Sequence, residues 1–310
     1  MGIGYTGCVN NNQKERTTQM ARTRRAKLPT TAWYHLIARV TDRQFLLQAD
    51  EKKSHFVSLL HRTLEFSGVE LGTYAIMDNH FHLLVRVPEA CELDDREILR
   101  RIAVLSGVER ASEVEEKWAK WRKIGQVVRY EADRMRYLRR MYDVSQFMKT
   151  LKELYTMWYN RTYHHIGTLW TGRFKSLLVE DGDYPVALRA YIEANPVRAG
   201  IVDAPADYPW NGIGAAQRGD PVAQRGQTLL DGEVAGAHAE GGRKVPAGRV
   251  VAFSNGKILG GQGFVTRIVR QLGFFSRRTH AWPLRETEFG NRVFAALGYK
   301  EDSIALLASA

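Results

Sequence analysis

The chain has 310 residues, with 45 Lys and Arg against 34 Asp and Glu and a formal net charge of +11. That excess favours a polyanionic partner, nucleic acid above all. Two cysteines, Cys8 and Cys91, with no CxxC pair, argue against a thiolate zinc site and a disulfide scaffold, and no apolar run approaches the roughly 20 residues of a membrane span. With no signal-like apolar stretch near the start, the expectation is a soluble, cytoplasmic protein whose first 28 residues form a disordered basic tail.

In chain order, "AWYHLIARV" (Ala32–Val40) is aromatic and β-branched and predicts a strand. Phe56, Leu59, Leu60 and Leu64 then recur at helical spacing, with Gly68 as the stop. "VELGTYAIM" predicts a second strand, Asp78-Asn79 a turn, and His80–Val87 a third strand closing a hairpin. Residues 90–142 are dense in charge and helix formers, and predict two or three inserted helices. "DVSQFMKTLKELYTMWYNRTY" predicts an amphipathic helix with Phe147, Leu151, Leu154 and Trp158 on one side. A fourth strand is expected over Gly172–Glu180. A helix follows, with Asp183 as N-cap and Asn195-Pro196 as its end. Residues 206–249, rich in Gly, Ala and polar groups, predict a linker. Residues 250–310 are expected to form a small C-terminal unit with accessory DNA contacts. With the insertion set aside, the first six elements read β-α-β-β-α-β, the order of a ferredoxin-like split βαβ unit.

The chemistry concentrates in two places. Along "NHFHLLV", side chains alternate faces, so His80 and His82 point one way and Phe81, Leu83 and Val85 the other. Two imidazoles on one face can hold a metal, or can be half-buried polar residues on a sheet. In "YIEANPVRAG", Tyr191 and Asn195 lie one helical turn apart. An amide oxygen is an acceptable ligand for a hard divalent cation, and a tyrosine hydroxyl beside it is a candidate nucleophile. Together these parts suit phosphodiester cleavage. The plainer readings stand beside this one: Tyr191 as a packing residue, Asn195 as a helix terminator, His164 and His165 as loop residues. Arg39, Arg173 and Lys175 could contact DNA phosphates or simply line solvated strand surface.

"NHFHLLV" matches the histidine–hydrophobic–histidine motif of single-tyrosine HUH transposases. "GTLWTGRFKSLLVE" and "YIEANPVRAGIV" resemble segments of the REP-associated tyrosine transposases. The resemblance spans roughly residues 30–88 and 143–205. It implies an α+β, ferredoxin-like HUH core, with its first half at 29–89 and its second at 143–205. It further implies a single-strand endonuclease and transposase acting on single-stranded or hairpin DNA. His80 and His82 would be the metal-binding pair, Asn195 the third ligand, Tyr191 the nucleophile, and Mg2+ or Mn2+ the metal. The long insertion departs from the compact members and leaves monomer and dimer both open. A domesticated hairpin-DNA binder without catalysis is the alternative. A phosphodiesterase using water in place of tyrosine is a third possibility.

Overall fold

The computed structural model describes residues 25–236, 253, 257–271, 279–283 and 293–297. The chain runs through β1 (Ala32–Arg39), α1 (Asp50–Ser67), β2 (Glu70–Ile76) and β3 (His80–Val87). The insertion follows as α2 (Asp95–Ser106), α3 (Val108–Lys123) and α4 (Val127–Leu138), then α5 (Val144–Tyr163), β4 (Lys175–Val179) and α6 (Asp183–Glu193).

β1 is an inner strand of the sheet, hydrogen-bonded antiparallel to β3 on one side and to β4 on the other. β2 pairs with the far edge of β3, so the order is β2-β3-β1-β4. That order, on a β-α-β-β-α-β chain, is the ferredoxin-like core of an α+β protein. Both faces of the sheet are covered, which explains why β1 is buried along both faces up to Ala38 instead of alternating. Tyr34, Leu36 and Ala38 join Phe81, Leu83 and Val85 beneath α1 and α5. Trp33 joins Leu84, Leu177 and Val179 beneath Leu188, Tyr191 and Ile192 of α6. α1 ends where expected: Gly68 is left-handed at φ 68°, and a Cβ there would lie 2.6 Å from the Tyr142 ring.

The insertion has three helices and its own core, built on Ile98, Ile102, Val114 and Trp118 and joined to α1 through Phe66. Asp94 caps α2 by accepting from the Glu97 N–H at 2.8 Å. The buried Trp118 indole donates to Asp133 at 2.9 Å, and Lys117 pairs with the same carboxylate at 2.6 Å.

Several expectations are corrected. α6 ends at Glu193, just before Asn195-Pro196 as expected, but a short helix not foreseen, α7 (Asn195–Arg198), follows at once and holds both of those residues. Proline is compatible with a first turn, where its missing N–H is not needed. Gly182, not Asp183, sits at the α6 N-cap. The expected linker folds into α8 (Gly212–Gln217) and α9 (Pro221–Gly236). Its small residues serve close packing: a Cβ on Gly226 would come within 2.4 Å of the Gly72 carbonyl on β2. The expected separate C-terminal unit instead extends the sheet. β5 (Ile258–Gly260) pairs parallel with β4, followed by α10 (Gln262–Gln271), β6 (Thr279–Pro283) and β7 (Val293–Leu297), in the order β4-β5-β7-β6. The expected basic tail lies outside the described residues as far as residue 24; from there Arg25 packs on the Phe174 ring at 3.7 Å and Ala26 is buried.

Because the insertion has its own core, Trp118→Ala should loosen it first. Truncating a buried aromatic costs about 3–5 kcal/mol, and Asp133 would also lose its indole donor. Limited proteolysis should then cut within 95–138 while sheet amides keep their hydrogen-exchange protection. Equal loss of protection in β1 would mean that insertion and core unfold together.

Candidate active site

The site is assembled by strand register. Ile37 on β1 faces His82 on β3, Arg39 faces His80, and Ala75 on β2 faces His82. On the other side of β1, Lys175 faces Ile37 and Leu177 faces His35. Cross-strand partners share a face, so His35, His80, His82, Arg39 and Lys175 all lie on the α6 side. That side is apolar in its middle and polar at one end, where Arg39 and Lys175 are exposed and His80 is half-buried.

The turn before His80 is held firmly. The Lys53 ammonium, itself buried, pairs with Asp78 at 2.7 Å. Val40 donates its N–H to the Asn79 carbonyl at 2.9 Å. The Asn79 side-chain oxygen lies 2.7 Å from His80 Nδ1. An amide oxygen only accepts, so Nδ1 is the donor of this bond.

His82 is 4% exposed. Its Nδ1 lies 2.9 Å from Nε2 of His35, a residue 1% exposed, and the two rings stack with centroids 5.1 Å apart. Burial pushes His35 down to about 3. Burial also drives His82 well below the ordinary histidine range, helped by His35, His80, Arg198 and Arg39. Both imidazoles are therefore neutral near pH 7, the form that ligates metals. His35 was not foreseen in the sequence; the signal was its place in β1, two residues from Ile37, which opposes His82.

Tyr191 on α6 reaches this cluster. Its ring centroid is 6.3 Å from that of His82 and 6.5 Å from that of His35, both edge-on. It is 2% exposed, with the Phe253 ring 5.0 Å away. Arg198, also unforeseen, lies one short helix further on. Its guanidinium sits 4.3 Å from the Tyr191 ring centroid, and it donates to the Tyr191 carbonyl. Burial lowers its pKa. Asn195 spends its amide nitrogen on α6, donating to the carbonyls of Tyr191 at 3.2 Å and Ile192 at 3.0 Å. Its side-chain oxygen is thus the end left for a ligand. Among the described residues, no three His, Cys, Asp or Glu side chains form a metal-holding group. A third protein ligand would have to be of another type, as an amide oxygen is. Arg173 lies apart, in the loop between α5 and β4.

The family model of IS200-like transposases matches residues 29–123. The chain is similar to the IS200-like transposases. The matched stretch contains His35, His80 and His82, while Tyr191 and Asn195 lie beyond it. Among solved structures, the chain is similar to a REP-associated tyrosine transposase bound to a REP hairpin, at 14% identity and a TM-score of 0.41, covering 66% of this chain and 90% of that one. It is also similar to a candidate transposase from Deinococcus radiodurans, at 16% identity and a TM-score of 0.28, covering 58% and 92%. No curated protein matches the chain. No helix among the described residues is long and apolar enough to cross a membrane.

The neutral histidines of this IS200-like segment have a thermodynamic consequence. The pKa of His35 is lower folded than unfolded, so the unfolded chain binds more protons between about pH 6.5 and pH 3. The stabilisation is complete above the unfolded value and is lost as pH falls through that window. Each extra proton contributes about 1.4 kcal/mol per pH unit. Chelator-treated protein should therefore lose denaturant stability from pH 6.5 to 5. His35→Asn should flatten that slope by close to one proton, and an unchanged slope would contradict a neutral His35.

Proposed function

We propose that this chain is a single-stranded DNA endonuclease and transposase that uses Tyr191 as its nucleophile. The observation that carries the reading is the meeting of two distant motifs. The Tyr191 ring stands 6.3 Å from the His82 ring, across the interface of α6 and the sheet.

The residues present suit a divalent metal. His80 and His82 both engage Nδ1 with a neighbour, at 2.7 and 2.9 Å, which orients each ring by its Nδ1 side. His82 is held neutral by burial. Engagement of the second ring nitrogen is the usual support of a metal-bound histidine. His80, His82 and Asn195 would hold Mg2+ or Mn2+, which when bound polarises a non-bridging phosphate oxygen and helps ionise an adjacent hydroxyl. Tyr191 Oη then bonds to phosphorus, the P–O3′ bond breaks, and the 3′-oxygen leaves and gains a proton. The product is a 5′-phosphotyrosine and a free 3′-hydroxyl. Attack by a 3′-hydroxyl reverses the step and rejoins strands. Arg198, stacked on the tyrosine ring, fixes its orientation, and Arg39 and Lys175 supply positive charge at the exposed end of the site.

One observation favours the second reading, a hairpin-DNA binder that does not cut: Tyr191 is 2% exposed and carries Phe253 against its ring. Cleavage requires that cover to open.

Incubation with labelled single-stranded hairpin oligonucleotides and Mg2+ or Mn2+ separates the readings on a denaturing gel. The wild type should form a covalent protein–DNA adduct, and Tyr191→Phe should reduce it by about three orders of magnitude or more while DNA binding persists. Cleavage retained in Tyr191→Phe would assign the attack to water. Binding without any adduct would favour the non-cutting binder.

The supporting role of His35 has its own readout. His35→Phe keeps the position buried but removes the ring nitrogen that meets His82. Mn2+ affinity, measured calorimetrically without DNA, should fall about 10–100-fold. Unaltered affinity would mean that His35 only packs.

A further inference from the structure

Outside the histidine site, positive charge gathers in one groove against α5, on the side of the sheet away from α6. The groove has a volume of about 630 Å3 and is lined by Arg25, Lys149, Lys152, Arg173, Phe174 and the 168–172 loop, among others. Arg25 lies flat on the Phe174 ring at 3.7 Å and donates to the Phe174 carbonyl at 3.3 Å. Lys152 donates to the Gly172 carbonyl at 3.2 Å. Lys257, just before β5, feels both Arg25 and Arg173.

Three of these cations, Arg25, Lys152 and Lys257, are half-buried. Burial is the largest influence lowering each pKa, with Arg25 brought to about 10, and repulsion from neighbouring cations adds to it in all three. The acids nearby are largely committed. Asp143 pairs with Lys27 at 2.6 Å and caps α5 through the Ser145 and Gln146 N–H groups. Glu153, at the groove wall, is 3.9 Å from Lys149. Like charges held this close, partly out of water, favour an anion among them.

The position of the groove says which anion. Its loop is tied to the catalytic end of the sheet. Thr171 donates its N–H to the Arg39 carbonyl at 2.9 Å and its hydroxyl to the Val40 carbonyl at 2.9 Å, and Trp170 bridges to Val40. Arg39 faces His80, and Lys175 begins β4 directly after this loop. A basic path therefore runs from His80 past Arg39 and Lys175, over the loop, to Arg173, Lys152, Arg25 and Lys257. Fixed cations at intervals along a path suit a chain of phosphodiesters, and they make no base-specific contact.

We propose that this groove is a backbone-phosphate subsite for the single strand beyond the cleavage position, binding it without regard to sequence. The proposal rests on the DNA reading of the histidine site.

The test is fluorescence anisotropy of two labelled single strands across a salt series. One strand is a pentamer that spans the histidine site alone; the other carries twelve further nucleotides. In the wild type, the longer strand should bind more tightly and with a steeper salt dependence. Lys152→Glu/Arg173→Glu should weaken the long strand at least tenfold more than the short one. It should also lower the long strand's salt slope by about 1.4, at roughly 0.7 for each lost single-strand phosphate contact. Lys152→Gln, which removes one charge from a half-buried side chain, should give an intermediate effect and guards against misfolding of the reversal. Equal weakening of both strands, or an unchanged slope, would overturn the subsite. Failure of the parent reading looks different: the wild type would form no covalent adduct with any strand, whatever the groove variants do.

Discussion

The site depends on the double pairing of β1. A strand hydrogen-bonded on both edges and covered on both faces has no freedom to slip, because a shift of one residue would exchange its two buried faces. This fixes His35 one diagonal step from His82, close enough for a 2.9 Å hydrogen bond. It also sets Arg39 opposite His80 and Lys175 opposite Ile37, so the polar end of the face is positioned by the same ladders that build the core. Here each histidine has a dedicated partner, Asn79 for His80 and His35 for His82.

Much of this was legible in the sequence because it depends on local period. Alternation along "HFHLLV" separates Phe81, Leu83 and Val85 from His80 and His82, and the two sets do fall on opposite faces. Gly68 reads as a helix stop and adopts the left-handed conformation that makes it one. Three inserted helices stand where charge-rich, proline-free sequence predicted two or three. Tyr191 and Asn195 share a helical turn in the sequence, and Asn195 does bond back to the Tyr191 carbonyl.

What was not legible depends on partners distant in sequence. His35 sits in an aromatic, β-branched strand, and nothing local says that its ring meets His82 rather than a hydrophobic neighbour. Arg198 looks like a surface cation after a proline; only the break at Ala194 and the turn of α7 lay it over Tyr191. The glycines and alanines of 206–236 read as loose chain. Small residues equally permit a helix to lie directly against a strand, and Gly226 uses that freedom against Gly72. Composition cannot distinguish absence of structure from unusually close packing.

The electrostatics follow from the same layering. The middle of the α6 face is dry, so His35 and His82 are kept neutral and Arg198 is placed against an aromatic ring. Net positive charge is displaced to the sheet end, where Arg39 and Lys175 are exposed, and around the edge to the groove of Arg25, Lys152 and Arg173. Neutral imidazoles with cations mainly at the rim are what the proposed site would need for a polyanion. On the proposed reading, charge at the rim would attract and align a strand, while His35 and His82 stay uncharged. Moving His35 and His82 outward would have let them protonate under mildly acidic conditions. The division between buried neutral imidazoles and peripheral charge is thus a consequence of where the sheet ends, and it is the arrangement that the proposed metal-assisted cleavage of a polyanion would need.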